Sequence, residues 1–214
     1  MNTRIAMMLA VSLATAACQT TNAPNSIEET AVGVELPLME EGDEPTVGYA
    51  GIVERPDGTQ SRFEVVSVDD NKIRWRNSEG CEWSQSRAYA RPFAPAVEWR
   101  NCGGSSGTAT IEGHSGDPEW PLVVGKRWRY DATGYTGSGW DAGQECEVVG
   151  TARITTVSGT HDTYKVVCTS KWAKYTRYFS PALDAMVRYE RERLAGAATD
   201  DVSELVRIEK PAGS

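Results

Sequence analysis

From Thr46 onward the chain is cut into short runs of alternating apolar and polar residues by turn chemistry, a rhythm that admits little besides antiparallel β structure. Residues 47–55 and 61–68 flank Pro56-Asp57-Gly58, a hairpin signal because glycine accepts the positive φ that the turn requires. In residues 72–77, Ile73 and Trp75 alternate with Lys72, Arg74 and Arg76, so one face is apolar and the other charged. Val97 and Trp99 repeat the pattern. Residues 145–157 and 163–172 are two long strand candidates about a turn at 158–162, and in the second Tyr164, Val166, Cys168 and Trp172 share a face. Residues 175–179, 185–191 and 202–208 complete the series. Residues 86–95 and 135–143 read as loops, and the Gly- and Ser-rich stretch 103–117 reads as the internal boundary. The expected fold is mainly β, an antiparallel sandwich or incomplete barrel built from two β units, 46–113 and 120–210, joined by a connector at 114–119.

Four cysteines fall within these units: Cys81, Cys102, Cys146 and Cys168. They allow three connectivities. Cys81 with Cys102 and Cys146 with Cys168 is preferred, since each pair closes a short loop inside one unit. A simple hairpin centred on Thr160 sets Ala152, not Cys146, opposite Cys168. The second pairing therefore requires a bulge, a longer loop or a non-adjacent strand, because bonded cysteines have Cα atoms within ~7 Å.

The fifth cysteine, Cys18, stands apart. Before it come Arg4 as a positive n-region, an apolar run over residues 5–14 interrupted only by Ser12, and the small residues Thr15-Ala16-Ala17. The run is shorter than the ~20 apolar residues of a membrane span. This arrangement resembles the signal of bacterial lipoproteins. The resemblance implies that residues 1–17 are removed and that Cys18 carries the acyl chains that hold the protein in the membrane. Gln19 in place of Asp implies the outer membrane, with the folded part on its periplasmic face. Thr15 stands where that family usually has Leu, and an ordinary secretory signal cleaved at Ala14-Thr15-Ala16 is the alternative. Lipidation is preferred because it leaves an even set of cysteines for disulfides in an oxidising compartment. Residues 18–45 then read as an acidic flexible tether. They hold seven acidic residues and no Lys or Arg, out of a net charge of −8, so the remainder is close to neutral.

The segment Arg177-Tyr178-Phe179-Ser180-Pro181-Ala182-Leu183-Asp184, continuing to Glu190, resembles the Tyr-aromatic-Ser-Pro-x-Leu-Gly stretch of several uncharacterised periplasmic β-rich proteins, with Asp184 where those have Gly. With the preceding strands the resemblance covers residues 120–190. It implies a secreted β scaffold rather than an activity.

Residues that carry chemistry are few. The two histidines, His114 and His161, cannot build a three-histidine zinc site, and the cysteines are better used as disulfides, so no metal or other cofactor is expected. Gly125-Lys126 does not complete a phosphate-binding loop, because Trp120 occupies the first glycine position and Arg127 the Ser/Thr position. There is no Gly-x-Ser-x-Gly elbow, and no catalytic residue is assigned. A nearly neutral folded part gives no basis for nucleic-acid binding. Seven tryptophans stand out. Trp75, Trp99, Trp128 and Trp172 alternate within strands as core residues do, whereas Trp140, with Tyr135 in the same Gly-rich loop, is the candidate ligand contact. Arg74, Arg76, Lys126, Arg127, Arg129, Lys171, Lys174 and Arg177 read as a solvated outer sheet face. The expected role is a non-enzymatic binding or envelope-assembly module, attached to the membrane through Cys18 and partnered by an envelope protein. An envelope glycan such as peptidoglycan is the second reading, and a carboxylate-based hydrolase the third.

Overall fold

The computed structural model of the protein describes residues 27–89, 92–196 and 200–211, so Cys18 and the signal-like stretch lie outside the described residues. Twelve strands follow one another: β1 (Ala50–Glu54), β2 (Gln60–Val68), β3 (Lys72–Asn77), β4 (Glu82–Ser86), β5 (Glu98–Cys102), β6 (Ser105–Gly116), β7 (Arg127–Tyr135), β8 (Gly139–Thr156), β9 (Gly159–Ser170), β10 (Ala173–Ser180), β11 (Ala185–Arg193) and β12 (Asp201–Glu209). Each pairs antiparallel with its neighbours in sequence, and β12 pairs with β1, closing the barrel. The sandwich or incomplete barrel of two units is thereby overturned. Closure gives every strand two partners, which an open sheet denies to its edges.

The supposed boundary is itself a strand. β6 pairs with β5 on one side and with β7 on the other, and two of its three glycines, Gly107 and Gly116, mark close approach rather than a break. A Cβ on Gly107 would lie 2.4 Å from the Trp99 ring, and one on Gly116 would lie 2.5 Å from the Arg127 carbonyl oxygen. Residues 135–143, expected as a loop, are likewise the tight β7–β8 hairpin. Asp184, in the β10–β11 turn, has φ 50°, the left-handed conformation that glycine adopts freely and that Asp tolerates better than most residues.

Cys81 is bonded to Cys102, and Cys146 to Cys168. The β8–β9 turn centres on Val157-Ser158 rather than Thr160, and the register shifts by one residue between Val148 and Gly150. Together these set Cys146 directly opposite Cys168, with Cα atoms 4.0 Å apart.

Alternation sorts the two faces of the wall. The outer face carries ion pairs such as Arg76–Glu64, Arg127–Glu147 and Arg129–Glu145, and the side chains of Arg127 and Glu145 are each 72% exposed. At such exposure each pair contributes little to stability. The inner face is apolar. Val65, Ile73 and Trp75 are buried on β2 and β3, and Trp128, Tyr130, Val148, Val166, Cys168 and Phe179 on β7 to β10. Because every connection is a hairpin, successive turns alternate between the two ends of the barrel. One end has the turns β1–β2, β3–β4, β5–β6, β7–β8 and β9–β10, each of two to five residues. The other has the long connections 87–97 and 117–126, from which Phe93 and Leu122 fold onto the inner cluster and plug that end.

Residues 27–45, expected within the flexible tether, lie against the barrel at this plugged end. β8 outruns β7, and Thr30 pairs with Arg153 along the strand edge left free. Ile27 joins an apolar cluster of Ala152, Ile154, Tyr178, Val187 and Leu205. Glu29 accepts hydrogen bonds from Lys165 Nζ at 2.6 Å and Tyr178 Oη at 2.7 Å. Further on, Met39 is 5% exposed within the inner cluster, and its carbonyl accepts from the Leu122 amide at 2.9 Å. Isolated apolar residues in an acidic stretch thus drive docking that the overall composition conceals. Met39→Ala should lower the unfolding free energy by about 2–4 kcal/mol in a urea titration. An unchanged midpoint would mean that the segment adds nothing to the fold.

Candidate functional site

The turn end of the barrel carries a row of indoles on the inner face. Trp75, Trp83 and Trp99 are successive cross-strand partners on β3, β4 and β5, and the first two stack with ring centres 6.1 Å apart and planes 6° apart. The row continues to Trp140, which lies 6.3 Å from Trp99 and 5.2 Å from Trp172, perpendicular to the latter. Lys171 Nζ lies 4.7 Å from the Trp172 ring centre. Trp75 is buried, whereas Trp83, Trp99, Trp140 and Trp172 are half-buried.

The glycines opposite these rings explain why the row forms. Trp140 faces Gly134 across β7, where an added Cβ would lie 2.1 Å from the indole, so the ring lies flat on bare backbone. Trp99 covers Gly107 in the same way. Each ring is also held by its N–H. Trp140 Nε1 donates to Thr136 Oγ1 at 3.1 Å, and Trp99 Nε1 to Ser105 Oγ at 3.3 Å.

The structure does not bring the two sequence candidates together. Gly134 pairs with Trp140 and Tyr135 with Gly139, so the two aromatic side chains leave the hairpin on opposite faces, and Tyr135 is 59% exposed. The alternation in the sequence does not single out Trp83, and it points Trp99 and Trp172 to the core, whereas all three are half-buried in the row. The available signal was the glycine directly opposite Trp99 and Trp140 on the adjoining strand, and reading it requires the register.

A second feature lies at the plugged end, where a cleft of about 690 Å³ is lined by Glu41, Glu44, Arg87, Tyr89, Glu119 and Trp120 among others. Glu119 is buried there, accepting from the Tyr130 hydroxyl and lying 3.0 Å from His114 Nε2. The His114 and Tyr130 rings are 5.0 Å apart, and Tyr89 meets Tyr130 edge-on. Burial, reinforced by Glu119, pushes the Tyr130 hydroxyl far above its ordinary value, which keeps it protonated as a donor. His114 is therefore a strand residue that ties the 117–126 connection to β6 and β7, although it stands in the Gly- and Ser-rich stretch that reads as a boundary. Glu119 is engaged with its own neighbours, an arrangement of a structural lock. His161 lies on β9 with Nε2 3.1 Å from Ser158 Oγ, and burial lowers its pKa. Among the described residues no group of three His, Cys, Asp or Glu side chains is placed to hold a metal ion.

Of the basic residues expected on the outer face, Arg76, Arg127 and Arg129 are there, paired with carboxylates. Arg177 is not. It is buried on the inner face, opposite Val166.

No protein-family model matches the chain, and no curated protein is similar to it at a significant level. Among solved structures, the chain is similar to the hypothetical lipoprotein YmcC from Escherichia coli (K12). The identity is 12% and the TM-score 0.45, over 78% of this chain and 85% of that one.

Gly134→Ala should displace the Trp140 ring and cost about 1–3 kcal/mol through overpacking. Near-UV circular dichroism would report the lost Trp99–Trp140–Trp172 contacts, and an unaltered spectrum would mean that the rings are not packed as described.

Proposed function

We propose that the protein is a non-enzymatic binding module of the cell envelope, held by lipid on Cys18 at the periplasmic face of the outer membrane, and that its ligand is a glycan, peptidoglycan first. The supporting observation is the row of half-buried indoles ending in Trp99, Trp140 and Trp172. Aromatic rings present broad apolar faces with a polar edge, which suits the apolar faces of sugar rings. These rings are also fixed before any ligand arrives, by the glycines beneath them and by their N–H donors, so little side-chain freedom remains to be lost on binding.

The position of the row agrees with this reading. The docked N-terminal segment lies at the plugged end, whereas the tryptophans lie at the turn end. Between Cys18 and that segment come residues 19–26, a contour of at most about 30 Å. An anchor joined there would attach at the end of the barrel opposite the indoles, leaving them free to meet a wall polymer.

The oxidised, unlipidated chain should cosediment saturably with purified sacculi. Trp140→Ala and Trp99→Ala should each weaken that binding about tenfold, the size of effect expected for an aromatic contact, while the far-UV spectrum is retained. Equal binding by folded variants would remove the tryptophan row from the function. No binding by wild type would turn the search to an envelope protein, through cross-linking in intact cells.

A further inference from the structure

Arg177 lies in the middle of β10, opposite Val166 of β9 and Tyr189 of β11, on the inner face of the barrel. The residue is 8% exposed. Its guanidinium carbon lies 5.3 Å from the Tyr175 ring centre and 5.7 Å from that of Tyr189, two rings stacked 6.3 Å apart with planes 29° from parallel. Among the described residues it makes no hydrogen bond or ion pair, and Nη1 is fully buried with no partner.

Other arginines of the barrel are treated differently. Arg188, equally buried on the neighbouring strand, pairs with Glu190 and Glu204. Arg129 pairs with Asp131 and Glu145. Tyrosine faces attract a cation through their quadrupole but supply no counter-charge and no acceptor for the N–H groups. Burial also pushes the Tyr189 hydroxyl up to about 12, so the ring stays neutral. A guanidinium does not escape by losing its proton. A buried cation with five donors and no acceptor is an arrangement that folded chains avoid, unless something else completes it.

We propose that Arg177 is the receptor for an oxyanion, a carboxylate or phosphate, on a ligand that reaches the inner face beside Tyr175 and Tyr189. The planar guanidinium fork matches two oxygens of either group, and the flanking rings hold the fork in one plane. The proposal stands apart from the glycan reading, since an anion bound here need not touch the tryptophan row.

The test is thermal unfolding of the oxidised chain with inorganic phosphate and, separately, acetate, each against chloride at matched ionic strength to remove general screening. Wild type should show a saturable rise in Tm with at least one of the two anions. A response to phosphate alone assigns a phosphate ligand, to acetate alone a carboxylate, and to both the shared oxyanion. Arg177→Met should abolish the rise while unfolding, without anion, at the same temperature as wild type or higher, because an unpaired buried charge has been removed. Arg177→Lys keeps the cation but loses the fork, and should need about tenfold more anion for the same rise. No anion-specific rise in wild type overturns the proposal, as does an equal rise in Arg177→Met. Should Arg177→Met not fold, Arg177→Lys carries the comparison, and an anion affinity within about twofold of wild type overturns it.

Discussion

The pairing of β1 with β12 is the contact on which the rest of the structure depends. Ala50 to Glu54 run against Glu204 to Glu209, with one shift of register between Ile52 and Val53. On its other side β1 holds β2, where Gly51 lies so close to Phe63 that a Cβ would come within 2.2 Å of the ring. Without this pairing the sheet has two unpartnered edges, and the aromatic inner face opens to water. It is also the pairing most distant in sequence. Each of the other eleven ladders joins consecutive strands and forms from a local hairpin, whereas this one must bring the two ends of the domain together against loop-closure entropy.

Closure decides where function can reside. A wall with carboxylate–arginine pairs outside and packed apolar side chains inside leaves the ends as the routes by which a ligand can reach ordered side chains. The plugged end is occupied by Phe93, Leu122 and Met39, and Glu119 fastens its loop to Tyr130. At the turn end, the short connections leave Trp99, Trp140 and Trp172 partly open. Arg177 breaks the rule of an apolar interior, and for that reason it invites a chemical explanation that packing alone does not provide.

Part of this was legible in the chain itself. Lys72 to Asn77 reads as a half-buried strand and is one, and Pro56-Asp57-Gly58 reads as a turn and connects β1 to β2. Those signals are local, and local geometry enforces them. Glycine misled at residues 135–143, a hairpin that reads as a loop, and again at 103–117. Residues 103–117 look like a linker, yet Gly107 and Gly116 are strand residues whose missing side chains make room for Trp99 and for the β7 backbone. The partner that explains each glycine is fixed only by cross-strand register, which one sequence does not display. The one-residue bulge that sets Cys146 against Cys168 is hidden for the same reason, as is the face on which Arg177 falls, because a single shift inverts every side chain beyond it. Met39 and Ile27 were obscured by the seven acidic residues around them, although a few buried apolar side chains suffice to dock a segment.

Closure has no local sequence signal, because it joins the two strands farthest apart in the chain. Nuclear Overhauser contacts between backbone protons of β1 and β12, above all Gly51 with Ile208 and Ile52 with Arg207, report the pairing strand by strand. A closed barrel predicts that these contacts are present and that β1 and β12 amides in the ladder exchange with solvent as slowly as those of β8 and β9. Their absence, with both strands exchanging as free edges do, would contradict it and leave an open sheet.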